Sequence, residues 1–263
     1  MNSHRIAAII FITICAFNAL GIPQESPKLI YIFVALCDNE NQGIIPVPQQ
    51  LGNGEDPQNN LYWGALYGVK SFFKRSSEWR LLKTIQEPDS VILERCIFKH
   101  AEEDVYILAD AYKGIEIKKC ITDFLAFAAG QHNEVITLKI DTTEDLIRTE
   151  NPSNLSVYVG HNGLMDFELE NYPRQTPGFA RDVIILACLS RNYFGRALET
   201  AGARPLLWTT GLMTPEAYTL EKVFKGWIEN KSSAEICLLA AQAYAAYQNC
   251  GLNAAKRLFS CGE

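Results

Sequence analysis

Histidine is scarce in this chain, with 4 in 263 residues. That thins the candidates for imidazole chemistry before any fold is considered. No block of basic residues occurs either. Lys and Arg total 24 against 30 Asp and Glu, a formal net charge of -6, which disfavours nucleic acid or an anionic membrane as a partner. Several signatures are missing. There is no G-x-x-x-x-G-K-[ST] phosphate loop, no G-x-G-x-x-G after a strand, no H-E-x-x-H, no paired-cysteine zinc spacing and no G-x-S-x-G elbow. Their absence argues against nucleotide, dinucleotide, zinc and serine-hydrolase chemistry, and no cofactor or metal is expected. Leu51-Gly-Asn-Gly54 is glycine-rich but follows no strand and reads as an ordinary loop. Repeats and low-complexity tracts are also absent, and 48% hydrophobic with 21% charged residues is a globular balance.

One apolar run stands apart from the rest. Ile6 to Leu20 follows His4-Arg5 and ends at Ala19-Leu-Gly21, the pattern of a secretory signal peptide over residues 1–21. It is short for a membrane span, so the expectation is a secreted or periplasmic protein with no span once the signal is removed. The competing readings are a buried N-terminal helix or a retained anchor. Cys15 lacks the small preceding residue of a lipoprotein box. Of 8 cysteines, losing Cys15 leaves an odd number, so at least one thiol stays unpaired or pairs between chains. Local spacing points to Cys250 and Cys261 as a pair, although a chain this long can fold without disulfides.

The remaining residues, 22–263, read as one α/β domain. Lys28 to Cys37 is apolar on both faces and predicts a buried strand. Asp38 to Asn60 is a long polar connection rich in Gly and Pro, a candidate lid or substrate wall. A helix is expected from Leu61 to Arg75, and a hairpin between Trp79 and Lys99 around Pro88-Asp89. Further strands are predicted at 104–111, 154–160, 183–187 and 204–210. Helices are predicted at 115–129, 192–201, 215–229, 233–248 and 252–259, with Gly130 and Gly202 as stops. Buried strands alternating with helices imply a doubly wound, mostly parallel sheet with helices on both faces.

Ligands of such sheets bind beyond the carboxyl ends of the strands. The residues there are Asp38, Asp110 with Tyr112, His161-Asn162-Gly163, Cys188, and Thr209-Thr210-Gly211. His4 falls in the signal, His100 ends a hairpin strand and His132 lies in a polar loop, which leaves His161 as the one histidine at a catalytic type of location. A cysteine nucleophile reacts as its thiolate and needs a base beside it. His161 and Cys188 at the ends of neighbouring strands would supply that pair. Gly163 could offer a backbone N–H to an oxyanion, and Ser190-Arg191 would open a helix whose dipole favours negative charge. Asp38, Asp110 and Tyr112 are candidate substrate-binding residues at the mouth. Asn154-Leu-Ser156 and Asn230-Lys-Ser232 match glycosylation acceptors, a triplet common by chance.

The words SVYVGHNG (156–163) and VIILAC (183–188) resemble the caspase–legumain–gingipain (clan CD type) cysteine peptidases. The similarity in strand and helix order runs from about residue 28 to 229. It implies a caspase-like three-layer sandwich and a divergent, secreted member of bacterial type. It also implies Cys188 as nucleophile, His161 as general base and acid, and the N–H groups of Gly163 and Cys188 as oxyanion hole. In that group glycine follows the histidine directly, whereas Asn162 intervenes here. A peptide or protein is the implied substrate. Two other readings remain: an exported, non-catalytic α/β binding module, and an amidase or transpeptidase of cell-wall peptides sharing the dyad.

Overall fold

The computed structural model describes residues 27–131, 135–140 and 143–262. The expected signal segment and His132 lie outside them. In chain order, β1 (Lys28–Ala35) is followed by α1 (Val69–Arg75), then the hairpin β2 (Trp79–Asp89) and β3 (Ile92–His100). Next come β4 (Val105–Tyr112), α2 (Ile117–Ala128), β5 (Val135–Ile140), β6 (Thr143–Arg148), β7 (Leu155–Val159), β8 (Asp182–Leu186) and α3 (Ser190–Ala201). The chain continues through β9 (Arg204–Thr209), α4 (Ala217–Ile228), α5 (Ser233–Gln248), α6 (Leu252–Leu258) and β10 (Phe259–Ser260).

A strand apolar on both faces must be covered on both sides. β1, β4, β7 and β8 are buried nearly end to end and lie at the centre of an eight-stranded sheet, ordered β10-β9-β8-β7-β1-β4-β3-β2. The pairs from β9 through β4 are parallel, and both margins are antiparallel. The protein is therefore α/β, with a mostly parallel mixed sheet between two helical layers. β5 and β6 form a separate antiparallel pair.

The pleat divides the core in two. Ile30, Ile32 and Val34 of β1 pack with residues of α1, α4, α5 and α6. Leu29, Tyr31 and Phe33 face the other way, onto α2 and α3. The α2 stripe Ile117, Cys120, Ile121, Phe124, Phe127 and Ala128 has the three-and-four spacing of a helix buried on one side. α3 stops at Gly202, whose φ of 61° is the left-handed stop that glycine adopts freely. α5 starts with a reciprocal capping box between Ser232 and Glu235.

Three expectations change. The helix predicted from Leu61 begins only at Val69. Residues 61–68 are held as turns because the Asn60 side chain bonds Cys37 N, Cys37 O and Tyr62 N, and Gly68 sits against the Trp63 backbone. The β5–β6 pair was hidden within a polar stretch. Finally, Cys261 is bridged to Cys237 rather than Cys250. Cys237 in α5 faces the chain leaving β10, whereas Cys250 is exposed in the turn after that helix. Asn154 is buried, with Oδ1 accepting from Leu29 N, so that acceptor triplet is a structural tie.

Candidate active site

Val159 of β7 and Leu186 of β8 are register partners, and both belong to the core face carrying Ile32 and Val34. A period of two projects that face onward to His161 and Cys188, each two residues beyond its partner. Both side chains line one cavity of about 370 Å³ at the carboxyl rim of the sheet. Its walls come from residues 43–47 of the long connection after β1, from Leu61 and Tyr62, and from residues 212–215 after β9. The segment expected to wall a site does so in part. A larger cavity, about 790 Å³, opens near Asp182 and Arg204 at the opposite rim, but neither a histidine nor a cysteine lines it.

Cys188 is a half-buried free thiol. Its Sγ lies 3.5 Å from the Met213 carbonyl as donor and 3.4 Å from the Met213 N–H as acceptor. Leu189, next in sequence, has φ 51°. A left-handed non-glycine residue is costly and persists where its surroundings enforce it. Here it pivots β8 sharply into α3. The turn is bolted to β9 through Leu189 N to Gly211 O and through paired bonds between Ser190 and Thr209. Among the described residues nothing accepts the Cys188 N–H, which leaves that donor free at the rim.

His161 is largely buried, and its Nε2 lies 2.7 Å from Asp166 Oδ2. The same oxygen accepts from Gly43 N at 3.0 Å, so Asp166 both orients the ring and ties down the 43–47 wall. With Nε2–H donated to the carboxylate, Nδ1 carries the lone pair. Tyr158 OH donates to His161 O at 2.6 Å. Asn162, fully buried, donates from Nδ2 to Cys188 O at 2.6 Å. The inserted residue thus links the two strand ends that carry the histidine and the cysteine.

Gly163 departs from expectation. Its N–H donates to His161 O at 3.0 Å, inside the tight turn that Asn162 creates, and a Cβ there would meet the Phe167 ring at 2.7 Å. That N–H is committed to the turn. Asp38, Asp110 and Tyr112 do not line the cavity either. Asp110 and Tyr112 sit on the α2 face of β4, opposite Ala109 and Ala111, so the pleat turns them away. Asp110 is fully buried and accepts from Arg95 Nε and Nη2 at 2.7 Å each and from Tyr31 OH at 2.7 Å. Tyr112 OH donates to Asp123 Oδ2 at 3.0 Å, and burial pushes its phenol up. Asp38 caps its own loop by accepting from Glu40 N, Asn41 N and Asn41 Nδ2.

Burial sorts three of the four other free thiols, while the fourth, Cys250, is exposed and does not line this cavity. Burial pushes Cys37 up to about 11 and Cys96 up to about 12, and it raises Cys120 well above an ordinary thiol. These three are buried and remain protonated and inert. Tyr62, on the cavity wall, is likewise raised by burial. Behind the 212–215 wall, Thr214 N donates to Tyr244 OH, while burial raises the Glu216 carboxyl despite the donor from Gln248. Sequence reasoning missed Asp166, Tyr62 and the Met213 backbone. Asp166 follows the histidine by 5 residues, but that spacing does not by itself pair the two side chains. Among the described residues no group of three or more His, Cys, Asp or Glu could hold a metal ion, and no helix is long and apolar enough to cross a membrane.

Comparison with family models, with curated proteins and with solved structures returned no match for this chain.

Proposed function

We propose that the protein is a cysteine peptidase of the caspase-like type, using Cys188 and His161. In the reaction, His161 Nδ1 takes the thiol proton and the sulfur attacks a peptide carbonyl. His161 then gives that proton to the leaving amine as the C–N bond breaks, which leaves a thioester on Cys188. Water, deprotonated by His161, attacks the thioester; the C–S bond breaks, a carboxylic acid leaves and the thiol is restored. The free Cys188 N–H faces the developing oxyanion. Asp166 holds the imidazole in the required tautomer.

The observation that carries this reading is the placement of His161 and Cys188 on one cavity from adjacent strand ends. The contrast with the three sealed thiols supports it. The Cys237–Cys261 disulfide supports export to an oxidising compartment. Cys188→Ala should abolish hydrolysis and labelling by thiol-directed peptide probes, with the melting curve kept. Full activity in that variant, or probe attached elsewhere, would refute the assignment.

A further inference from the structure

The chemistry of the cavity wall goes one step beyond a thiol and a base. No Asp, Glu, Lys or Arg lines it; its ionisable groups are His161, Cys188 and the buried Tyr62. Its mouth is apolar as well. Ile45 is 85% exposed and Leu212 69%, the two most exposed large hydrophobic side chains among the described residues, and Met165 beside them is 39% exposed. Hydrophobic residues this open, gathered at one cavity, mark a binding surface. A charged guest would lose its water and find no partner.

The wall is also shaped for a backbone. Residues 45–48 belong to no helix, strand or turn, and Pro46 and Pro48 bias the residues before them away from helical backbone. Asn39 clamps this segment by accepting from Val47 N and donating to Val47 O, and Asp166 accepts from Gly43 N. Between those anchors the N–H groups of Ile44 and Ile45 have no acceptor among the described residues. The backbone of an extended peptide could accept from one of these two N–H groups.

We infer that this cavity is the primary specificity pocket, and that it takes an uncharged, apolar side chain from the residue whose carbonyl Cys188 attacks, in a peptide lying along residues 44–46. This rests on the thiol reading above and adds the substrate class to it.

The test uses the purified protein and tripeptidyl chloromethyl ketones that differ only in the residue next to the warhead: Leu, Phe, Asp, Asn or Lys. Each forms a C–S bond at Cys188 as chloride leaves, and the labelled residue is located by mass spectrometry. Leu and Phe probes should label at least tenfold faster than Asp and Lys probes. Leu212→Arg should slow the Leu probe at least tenfold and speed the Asp probe. Equal rates across the series, or faster labelling by a charged probe, would overturn the pocket assignment while leaving the nucleophile in place. A straight-chain alkyl chloromethyl ketone reacting as fast as the Leu peptide would overturn the peptide occupant in favour of an acyl chain. Failure of every probe to label Cys188 would overturn the peptidase reading itself.

Discussion

Asp110 separates a scaffold role from a substrate role, because its position in sequence and its position in space point to different tasks. The perturbation is Asp110→Asn. The wild-type carboxylate is fully buried and accepts three bonds of 2.7 Å, two from Arg95 and one from Tyr31. Removing one partner of a buried pair costs about 3–5 kcal/mol. The Arg95 side chain keeps 16% exposure and can turn part of its guanidinium to water, which favours the lower end, about 3 kcal/mol. At about 2–4 °C per kcal/mol for a domain of this size, the midpoint should fall by about 6–12 °C. Circular dichroism melts read that change. The second readout is the rate at which a peptidyl warhead labels Cys188 at a temperature where both proteins are folded, and it should stay within about twofold. An unchanged melt with a tenfold loss of labelling would refute the reasoning and return Asp110 to the substrate side.

Three other outcomes follow from the same contacts. Cys237→Ser should cost about 3.5 kcal/mol, the loop-closure value for a separation of 24 residues, and dithiothreitol should reproduce the loss in the wild type; a melt insensitive to reductant would contradict it. Asp166→Asn removes the carboxylate that orients His161, so labelling of Cys188 should slow by at least about tenfold while stability moves by less than about 1 kcal/mol. Glu216 has a carboxyl raised by burial, so the folded protein binds that proton more tightly than the unfolded chain. Its contribution is present at low pH and lost as pH rises through the raised value. Glu216→Gln should therefore melt above wild type at about pH 8, with the gap closing towards about pH 4, and a gap that widens on acidification would show the sign to be wrong.

Much of this architecture could be read from the chain because parallel strands announce themselves. KLIYIFVA, VYILADAY and DVIIL carry no polar face, and only a sheet covered on both sides accommodates them. The same property concealed the site's handedness. When both faces are apolar, alternation no longer says which side a terminal residue takes, and Asp110 and Tyr112 fell on the face opposite the cavity. His161 and Cys188 were legible through their place at strand ends. Asp166 was not, because its bond to His161 depends on the turn through Asn162 and Gly163. Residues 61–75 have the apolar spacing of a helix, yet the side chain of Asn60 offers the backbone a rival set of bonds over the first turns. Disulfide partners were decided by how α5 lies against the end of the chain, which spacing does not encode.

β10 is two residues long, yet it occupies the outermost rung beside β9, pairing with Trp208 and Thr209. Phe259 packs edge-on against Tyr244, and Cys261 fastens the strand to α5. In a reducing environment that fastening opens, and the shortest strand keeps only its two rungs on β9, the Gly262 N to Pro205 O bond and the buried Phe259 ring. Where the strand lifts, the backbone of β9 is a template for another molecule's strand. Thiol reductant should accordingly turn a monodisperse preparation into one that self-associates, which ties the protein's colloidal behaviour to the redox state of its surroundings.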